Sequence, residues 1–527
     1  DAQESRGLGD VYKRQEENGM LNYNPVAILN QLVSDKSRNY LQGRLAADYK
    51  IFPFLSIGLN GSMSRNDFLW GYYAPSTSRP AEAAKGIAKR ETSEDNQLFF
   101  EGNLTFDKTF AEKHKVNVVV GYSFQEFFNE GFSAQNRDFV TDLFTYNNLS
   151  AGNNLLPGDI ASQKNSNRLI SFYGRANYSY DSKYMLTATL RRDGSSKFGV
   201  NNRWGYFPSF SAGWRISQEE FMKNISWINN LKIRASWGTL GNINNVGNYD
   251  YFQNYNLGSD YNFNDEAVKG ILESKPANLG LGWETVALTD FGVDIDLFDN
   301  KLSIVADYYI KNTSDILLGY NVPVETGIWS APSQNIGKVK NTGFEMALTY
   351  RGNVGDLKYT VTGNIATNKN KVVDLAGSDD IISNGGDKIR FILREGEPIG
   401  SFYGYKTDGL YTQEEIDAGR FYTFGRIPNA GDIKYVPQRE DVKYYGDLEA
   451  NEDKSHAAIS GEDRTIIGKD VPDFTYGVNL NLQWKNFELS VFGQGVSGTM
   501  TAFESEQISA FMLNANPREF HRGRWTQ

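Results

Sequence analysis

Apolar and polar residues alternate with a period of two along much of the chain. Between residues 474 and 484 one face carries only apolar side chains, and polar residues or glycine occupy every position between them. Such alternation predicts a β-strand with one apolar and one polar face. The pattern recurs near residues 41–51, 54–63, 98–107, 116–125, 172–181, 184–191, 210–217, 231–238, 291–297, 302–311, 344–350, 359–367, 474–484 and 487–493.

The connections between these segments alternate in length. Tight turns are expected near residues 181–183 and 485–486, for example, whereas long loops are expected at 64–97, 128–167, 193–205, 239–282, 312–339 and 370–471. A strand of about ten residues rises about 33 Å, and a tilt near 45° leaves about 23 Å, close to the apolar band of an outer membrane. The pattern therefore predicts an all-β protein, a transmembrane antiparallel β-barrel with a polar lumen and long outer loops.

A string of soluble β-sandwiches is the alternative, because their strands also have one apolar face. Sandwich strands are usually about five or six residues long, however, and their loops do not alternate strictly between short and long. The length of the alternating segments therefore favours the barrel.

The composition agrees with a chain rich in strands. Aromatic residues make up 14% of the 527 residues and glycine accounts for 51, whereas proline accounts for only 14. Aromatic side chains suit a pleated surface, and glycine suits turns and close backbone contacts. The formal charge of −10 comes without a clustered basic stripe, which argues against nucleic acid as a partner.

Cysteine is absent and only three histidines are present, His114, His456 and His521. A disulfide framework and thiolate chemistry are therefore excluded, and a multi-histidine metal site or a histidine triad is disfavoured. We expect each histidine to lie in a solvated loop. No catalytic constellation is recognisable, so we predict no enzyme activity, no cofactor and no metal site.

The two ends of the sequence are unusual. Residues 1–15 show neither helix nor strand periodicity, and they do not have the charged segment and apolar run of a signal peptide. We interpret residues 1–15 as a non-native leader and residues 16–527 as an incomplete barrel domain whose plug and terminal strands lie outside the sequence.

Several collinear blocks resemble a known family. The most specific is LISFYGRANYSYDSKYMLTATLRRDGSSKFGVNNRWGYFPSFSAGWRISQEEF at residues 169–221, followed by LKIRASWGTLGN at 231–242, NIGKVKNTGFEMAL from 335 and IIGKDVPDFTYGVNLNLQWKNFELSVFGQGVSG from 466. In these blocks the chain resembles the SusC/RagA-type TonB-dependent transporters of the Gram-negative outer membrane.

The resemblance implies a plugged barrel of about 22 strands, of which about fourteen are present here. It also implies location in the outer membrane, in contact with its lipid. The partners implied are a SusD-like surface lipoprotein that closes over the outer loops and the TonB complex, which would act through the plug. The family's substrates are mostly oligosaccharides, with peptides a minority.

Three motifs partly match known functional sites. The acidic loop at residues 447–463 departs from a calcium loop, because Glu452 stands where the sharp turn requires glycine, and we interpret it as a solvated loop. Residues 493–498 match G-x-G-x-x-G, but no helix pattern follows them, so a nucleotide site is disfavoured. Asp294 and Asp296 share the polar face, where we expect them to be hydrated and not to act as an acid–base pair.

Substrate contacts are expected from aromatic residues in outer loops, because sugar rings pack on indole and phenol faces. The candidates are Trp70, Tyr72 and Tyr73 in the predicted loop at 64–97 and Trp329 in the loop at 312–339. The alternative for each is a role in loop packing. Arg191, Asp193, Arg203 and Trp204 are predicted to fasten a loop by charge-assisted hydrogen bonds.

The function predicted from these observations is active import of a glycan or peptide nutrient across the outer membrane. A passive porin without energy coupling is the first alternative. A secreted β-rich adhesin or glycan-binding protein is the second.

Overall fold

A computed structural model describes residues 25–257, 261–263, 266–268, 270–319, 325, 333–378, 380–384, 389–502 and 519. The chain divides into two compact units, the first formed by residues 1–298 and 311–336 and the second by residues 299–310 and 337–527. No helix within the described ranges is long and apolar enough to cross a membrane.

The first unit is built on one run of antiparallel strands. After a short helix at Pro25–Gln31, nine long strands pair in the order β1-β2-β3-β4-β5-β6-β7-β8-β13 among the described residues. These strands are β1 Val33–Phe52, β2 Leu55–Ala74, β3 Ile87–Phe110, β4 His114–Arg137, β5 Ile160–Tyr180, β6 Tyr184–Ser195, β7 Trp204–Arg215, β8 Ile228–Asn242 and β13 Glu284–Leu297. Four short strands lie between β8 and β13: β9 Asn254–Leu257, β10 Tyr261–Phe263, β11 Glu266–Val268 and β12 Ile271–Lys275.

The second unit contains the remaining long strands. These are β14 Leu302–Gly319 and β15 Ser333–Val354, each of which also has residues in the first unit, with β16 Leu357–Thr367, β24 Phe474–Trp484 and β25 Phe487–Ser497. The structure thus has fourteen long strands within the described residues, and the all-β prediction is confirmed.

Residues 370–471 were predicted as one long loop, but the segment between β16 and β24, residues 368–473, contains sheets of its own. The first strand of this insertion, β17 Lys369–Asp374, pairs with β15. The remaining strands are β18 Ile381–Asn384, β19 Arg390–Leu393, β20 Ser401–Gly404, β21 Thr407–Leu410, β22 Ile433–Tyr435 and β23 Thr465–Lys469. Strands β18, β19, β20 and β23 form one small sheet and β21 and β22 another, beside a helix at Gln413–Asp417.

The strands are longer than predicted and the outer loops are correspondingly shorter. β3 and β4 have 24 residues each, and the loops expected at 64–97 and 128–167 shrink to residues 75–86 and 138–159. The additional strand residues carry polar side chains on both faces, so they lack the alternation that identifies a strand. Backbone pairing nevertheless continues without a break from Phe110↔His114 to Ile87↔Arg137.

The register assigns the apolar positions of the first unit to one face. Val120 of β4, Leu186 of β6 and Phe210 of β7 are 48%, 54% and 56% exposed, respectively. Apolar side chains exposed to this extent in neighbouring strands form the surface that a membrane barrel turns toward lipid. We call this side of the sheet the apolar face and the opposite side the polar face.

The short turns lie where they were predicted. Asp181 and Ser182 between β5 and β6, and Lys485 between β24 and β25, have positive φ, which matches a tight hairpin to the twist of its strands. We call the strand ends at these turns the inner ends and the opposite ends, which carry the longer connections, the outer ends.

A small core lies beyond the outer ends of β6–β13. Phe198, Val246 and Leu281 are buried together, with Trp283 and Tyr251 packed against them. Apolar packing therefore holds together connections that the sequence marked only as loops.

Candidate functional site

The candidates Trp70, Tyr72 and Tyr73 lie among the last five residues of β2 and not in a loop, so the predicted loop position was wrong. The cause is the polar outer extension of the strands, in which β2 pairs with β1 and β3 as far as Tyr73 and Ala74. Trp70 and Tyr72 lie on the polar face with ring centroids 5.8 Å apart, whereas Tyr73 points to the other face.

Trp70 is surrounded by polar groups of the neighbouring strands. Its indole N–H donates to the Ser34 hydroxyl at 3.1 Å. The ammonium groups of Lys36 and Lys89 lie 5.2 and 4.7 Å from the ring centre, within cation–π range. Lys89 also contacts Glu91 at 2.7 Å. A sugar stacking on Trp70 would have to share the ring with these two cations.

Tyr73 is 2% exposed, which removes it from direct contact with a substrate. Its hydroxyl donates to Asp142 at 2.5 Å, and its ring meets Phe139 edge to face. It therefore anchors residues 138–159, the packing role that was the alternative for each candidate. Tyr72 is half-buried. Trp329 lies outside the described residues.

A row of polar side chains missed at the sequence level crosses four strands just inside Trp70. Asn66, Asp95, Asn129 and Asn165 are directly opposite one another on β2, β3, β4 and β5. Amide nitrogens of Asn66 and Asn129 donate to Asp95 at 3.1 and 2.6 Å, and Asn165 donates to Asn129 at 3.1 Å. We call these four residues the amide row.

The amide row continues into the connection after β8. Asn248 donates to Asn165 at 2.9 Å and receives a hydrogen bond from Asn167 at 3.0 Å. A cavity of about 170 Å³ borders the row. Amide groups both donate and accept, so this surface can bind hydroxyl groups or peptide groups. The sequence contained one signal for this row. Counting equal numbers of residues outward from the turn at 111–113 along β3 and β4 places Asp95 opposite Asn129.

Deeper on the polar face, Tyr173 joins two strands through its hydroxyl, which donates to Glu101 at 2.6 Å. Its ring lies across Gly121, where any Cβ would overlap it. Arg191 lies 5.5 Å from the centre of the same ring and pairs with Asp193 at 3.0 Å.

The prediction that four residues fasten a loop by charge-assisted hydrogen bonds is only partly correct. These residues are Arg191, Asp193, Arg203 and Trp204. The pair of Arg191 and Asp193 forms, and the Arg203 carbonyl accepts from the Trp283 indole at 3.2 Å. Trp204 instead lies under Arg192, with the guanidinium 4.3 Å from its ring centre.

Asp294 and Asp296 are engaged with neighbouring strands. Arg234 and Lys232 contact Asp294 at 3.0 and 3.5 Å, and Asn230 donates to Asp296 at 3.2 Å. The arrangement is a cross-strand ion network that holds β8 and β13 together. Both carboxylates are occupied in it, which does not suit an acid–base pair.

The acidic loop at 447–463 is organised by internal contacts. Glu452 binds Lys443 at 2.8 Å and the His456 ring at 3.1 Å, and the Lys443 contact is the main cause that lowers the pKa of Glu452 to about 2. Burial alone would raise the pKa of Asp463, but Arg439 and backbone N–H groups outweigh it and lower the pKa. No group of three or more potential metal ligands occurs in the described part of the chain.

The structure also gives the positions of two histidines and of two glycines in the G-x-G-x-x-G match. His114 begins β4 and lies 2.8 Å from the Tyr178 hydroxyl, so the predicted loop position was wrong for it. His456 lies in a short 3-10 helix, Lys454–Ala457, within the acidic loop, and His521 lies outside the described residues. Gly493 and Gly495 of the G-x-G-x-x-G match lie within β25, and Tyr476 covers Gly495.

Long antiparallel strands with one exposed apolar face and one hydrogen-bonded polar face define the class of outer-membrane β-barrel proteins. The sequence profile of the family described as "TonB dependent receptor-like, beta-barrel" matches residues 4–497. The chain belongs to this family, which places it in the outer membrane as predicted.

Individual relatives agree with this assignment. TonB-dependent receptor P3 of Formosa agariphila is 34% identical over 482 residues, which is 90% of this chain and 46% of the relative. TonB-dependent receptor SusC of Bacteroides thetaiotaomicron is 29% identical over 331 residues, 62% of this chain and 30% of SusC. The resemblance to SusC/RagA-type receptors is thus confirmed.

A solved structure shares the fold. "Structure of the RagAB peptide transporter" matches 90% of this chain and 49% of the solved chain with a TM-score of 0.75 at 21% identity. The chain spans less than half the length of the curated relatives that it matches.

Proposed function

We propose that this chain is part of an outer-membrane importer that takes up a glycan, with transport energised through TonB. The observation that carries the proposal is the amide row, which crosses four strands of the polar face. A glycan presents many hydroxyl groups, each able to donate and accept, and a row of carboxamides with one carboxylate is complementary to them.

The position of the amide row supports a role early in uptake. It lies on the outer extension of the strands, four residues inside Trp70 and Lys36 and six residues inside Lys89 in register. A substrate arriving from outside would therefore meet Trp70, Lys36 and Lys89 before the amides. Glu101, Tyr173 and Arg191 would follow on the inner side.

A peptide is the second candidate substrate. The fold likeness to the RagAB peptide transporter favours it. Peptide groups can use the same amide row, and the ammonium groups of Lys36 and Lys89 would suit a terminal carboxylate. The partners proposed for either substrate are a SusD-like surface lipoprotein and the TonB complex.

The test uses the full-length receptor in its own bacterium. Asn129→Ala removes the centre of the amide row and is expected to raise the substrate concentration needed for half-maximal uptake. Asn117→Ala is the matched control, because Asn117 lies on the same strand and face and likewise has side-chain partners on both neighbouring strands, Asp107 and Asn177. The control is expected to leave uptake unchanged.

Growth and uptake are measured on a panel of glycans and on peptides. If deletion of the receptor gene leaves growth on every substrate unchanged, with the lipoprotein still present, nutrient import is wrong. Uptake that persists after loss of TonB would favour the passive porin. Release of the full-length protein without detergent would favour the adhesin.

A further inference from the structure

The apolar face of β5, β6, β7, β8 and β13 has a depression. Its volume is about 590 Å³, and Tyr178, Leu186, Phe210, Trp237 and Phe291 form its walls. Alanines supply the floor, two of them being Ala188 on β6 and Ala212 on β7. Leu186, Phe210 and Phe291 are each more than half exposed, so no part of the described chain covers the depression.

An arginine lies on the same face toward the outer end. Positions 188, 190 and 192 of β6 share this face, and Arg192 comes after Ala188 and Leu190. The guanidinium lies 4.3 Å from the Trp204 ring centre and 5.5 Å from that of Tyr206. Among the described residues, no carboxylate pairs with Arg192.

The next arginine outward on this face is different. Arg168 of β5 is paired with Glu126 at 2.6 Å. It lies four residues farther out than Phe172, the residue of β5 directly opposite Arg192. Between these two levels the same face carries Ile170 of β5 and, directly opposite it on β4, Phe124. The apolar band therefore extends beyond Arg192 on β4 and β5. Arg192 therefore lies at the rim of the apolar band, whereas Arg168 lies outside it.

We propose that Arg192 and the depression form a binding site for a phosphate-bearing lipid of the outer leaflet. The phosphate would bind the guanidinium, and an acyl chain would extend inward past Leu190 into the depression. This site depends on the location in the outer membrane and is independent of the imported substrate.

The geometry suits one lipid molecule. The four residues from Arg192 to Ala188 span about 13 Å, a distance that an acyl chain covers readily. Arginine binds phosphate through two parallel N–H donors, and Trp204 and Tyr206 hold the guanidinium in place by cation–π contact. An arginine at the edge of lipid is costly without an anionic partner, and a headgroup phosphate supplies that partner.

The experiment uses the full-length receptor in a neutral detergent, with native mass spectrometry as the readout. The probe is phosphorylated lipid A, compared with lipid A from which the phosphate has been removed and with inorganic phosphate. We expect a one-to-one complex with the phosphorylated lipid only. Arg192→Gln should weaken the complex about tenfold, because a charge-assisted contact is lost.

Two matched controls separate this site from general charge or packing effects. Arg168→Gln removes a paired arginine of the same face and should leave lipid binding unchanged. Ala212→Leu fills the depression and should weaken binding, whereas Ala47→Leu on the apolar face of β1 should not. Heat-modifiable electrophoretic mobility checks that each variant is folded.

Three results would overturn the proposal. The first is equal binding of the lipid with and without phosphate, and the second is an equal effect of Arg192→Gln and Arg168→Gln. The third is conversion of a dimer to a monomer by Ala212→Leu without loss of lipid, which would make the depression a contact between two copies.

Discussion

The inner and outer halves of β4 form one strand although their side-chain patterns differ. In the inner half, Val118, Val120, Tyr122 and Phe124 form an unbroken apolar stripe. In the outer half the same face carries Glu126 and Glu130, which pair with Arg168 and Lys164 of β5. The backbone pairing is nevertheless the same in both halves.

The difference shows that two separate causes produce one continuous strand. In lipid, unpaired backbone N–H and C=O groups are too costly, so the strands must pair. Because one face of the sheet meets the lipid, every second side chain must also be apolar. Beyond the lipid, the hairpin register is already set, and cross-strand contacts such as those of the amide row extend it. The outer half is thus free to carry polar groups on both faces, which suits it for binding.

The sharpest test of this comparison is to place a charge on the apolar face of each half. Val120→Arg should lower the free energy of unfolding by about 2–4 kcal/mol, because the charge enters the bilayer. Phe132→Arg, on the same strand and face and equally exposed, should cost at most about 1 kcal/mol. Denaturant unfolding of the full-length receptor in lipid vesicles measures both. Equal losses of unfolding free energy in the two variants would contradict the division of β4 into an inner half in the lipid and an outer half beyond it.

Two glycines covered by tyrosine rings give the next largest effect. A Cβ at Gly121 would overlap Tyr173, and a Cβ at Gly71 would overlap Tyr146. Gly121→Ala should destabilise by about 1–3 kcal/mol, because Tyr173 is fixed on a strand and must break its bond to Glu101.

Gly71→Ala should cost less in the same unfolding measurement. Tyr146 belongs to a short 3-10 helix in an outer connection and can shift with it, although its hydroxyl bond to Asp35 at 2.6 Å would lengthen. A larger loss at Gly71 than at Gly121 would show that the outer connection is the more rigid of the two.

The ion cluster of the outer half should contribute little to stability. Arg65 contacts Asp67 at 3.0 Å and Glu94 at 2.8 Å, and the Arg65 side chain is 42% exposed. A double-mutant cycle with Arg65→Gln and Glu94→Gln should give a coupling of about 0.2–1 kcal/mol, because water screens such pairs. A coupling well above that range would mean that ion pairs, and not backbone register, hold the outer half together.

The smallest expected effect is a local response to acid in the insertion. The pKa of Glu452 is lowered from 4.5 to about 2. Its contribution to stability is therefore complete above the ordinary value and is lost as the pH falls toward about 2. Cleavage by pepsin between residues 443 and 463 should rise over this window. Glu452→Gln should reduce the pH dependence, while cleavage in the long strands stays constant in both proteins.

The positions of the strands could be predicted from the sequence, but their ends could not. Every segment predicted from period two forms a strand, because lipid demands an apolar residue at every second position. The outer half of β3 contains Arg90, Glu91, Glu94 and Asp95, a run that is typical of a loop. It forms a strand because β2 and β4 pair with it on both sides.

The candidate site was predicted less well, for a related reason. Trp70 and Tyr72 were identified as aromatic residues of the outer region, and they do lie at the outer end of the polar face. Tyr73 was included because an isolated sequence does not show that residues 138–159 fold over it. The amide row was missed because its members are about 30 residues apart and fell in predicted loops.

The sequence by itself determined the fold class, the face that meets lipid and the family, since each depends on local alternation or collinear motifs. Only the tertiary structure decided how far the strands extend and which polar residues meet across them. It also showed that Arg168 has a carboxylate partner among the described residues and Arg192 has none. The physical reason is that cross-strand register joins residues distant in sequence, and a shift of one residue would exchange the two faces.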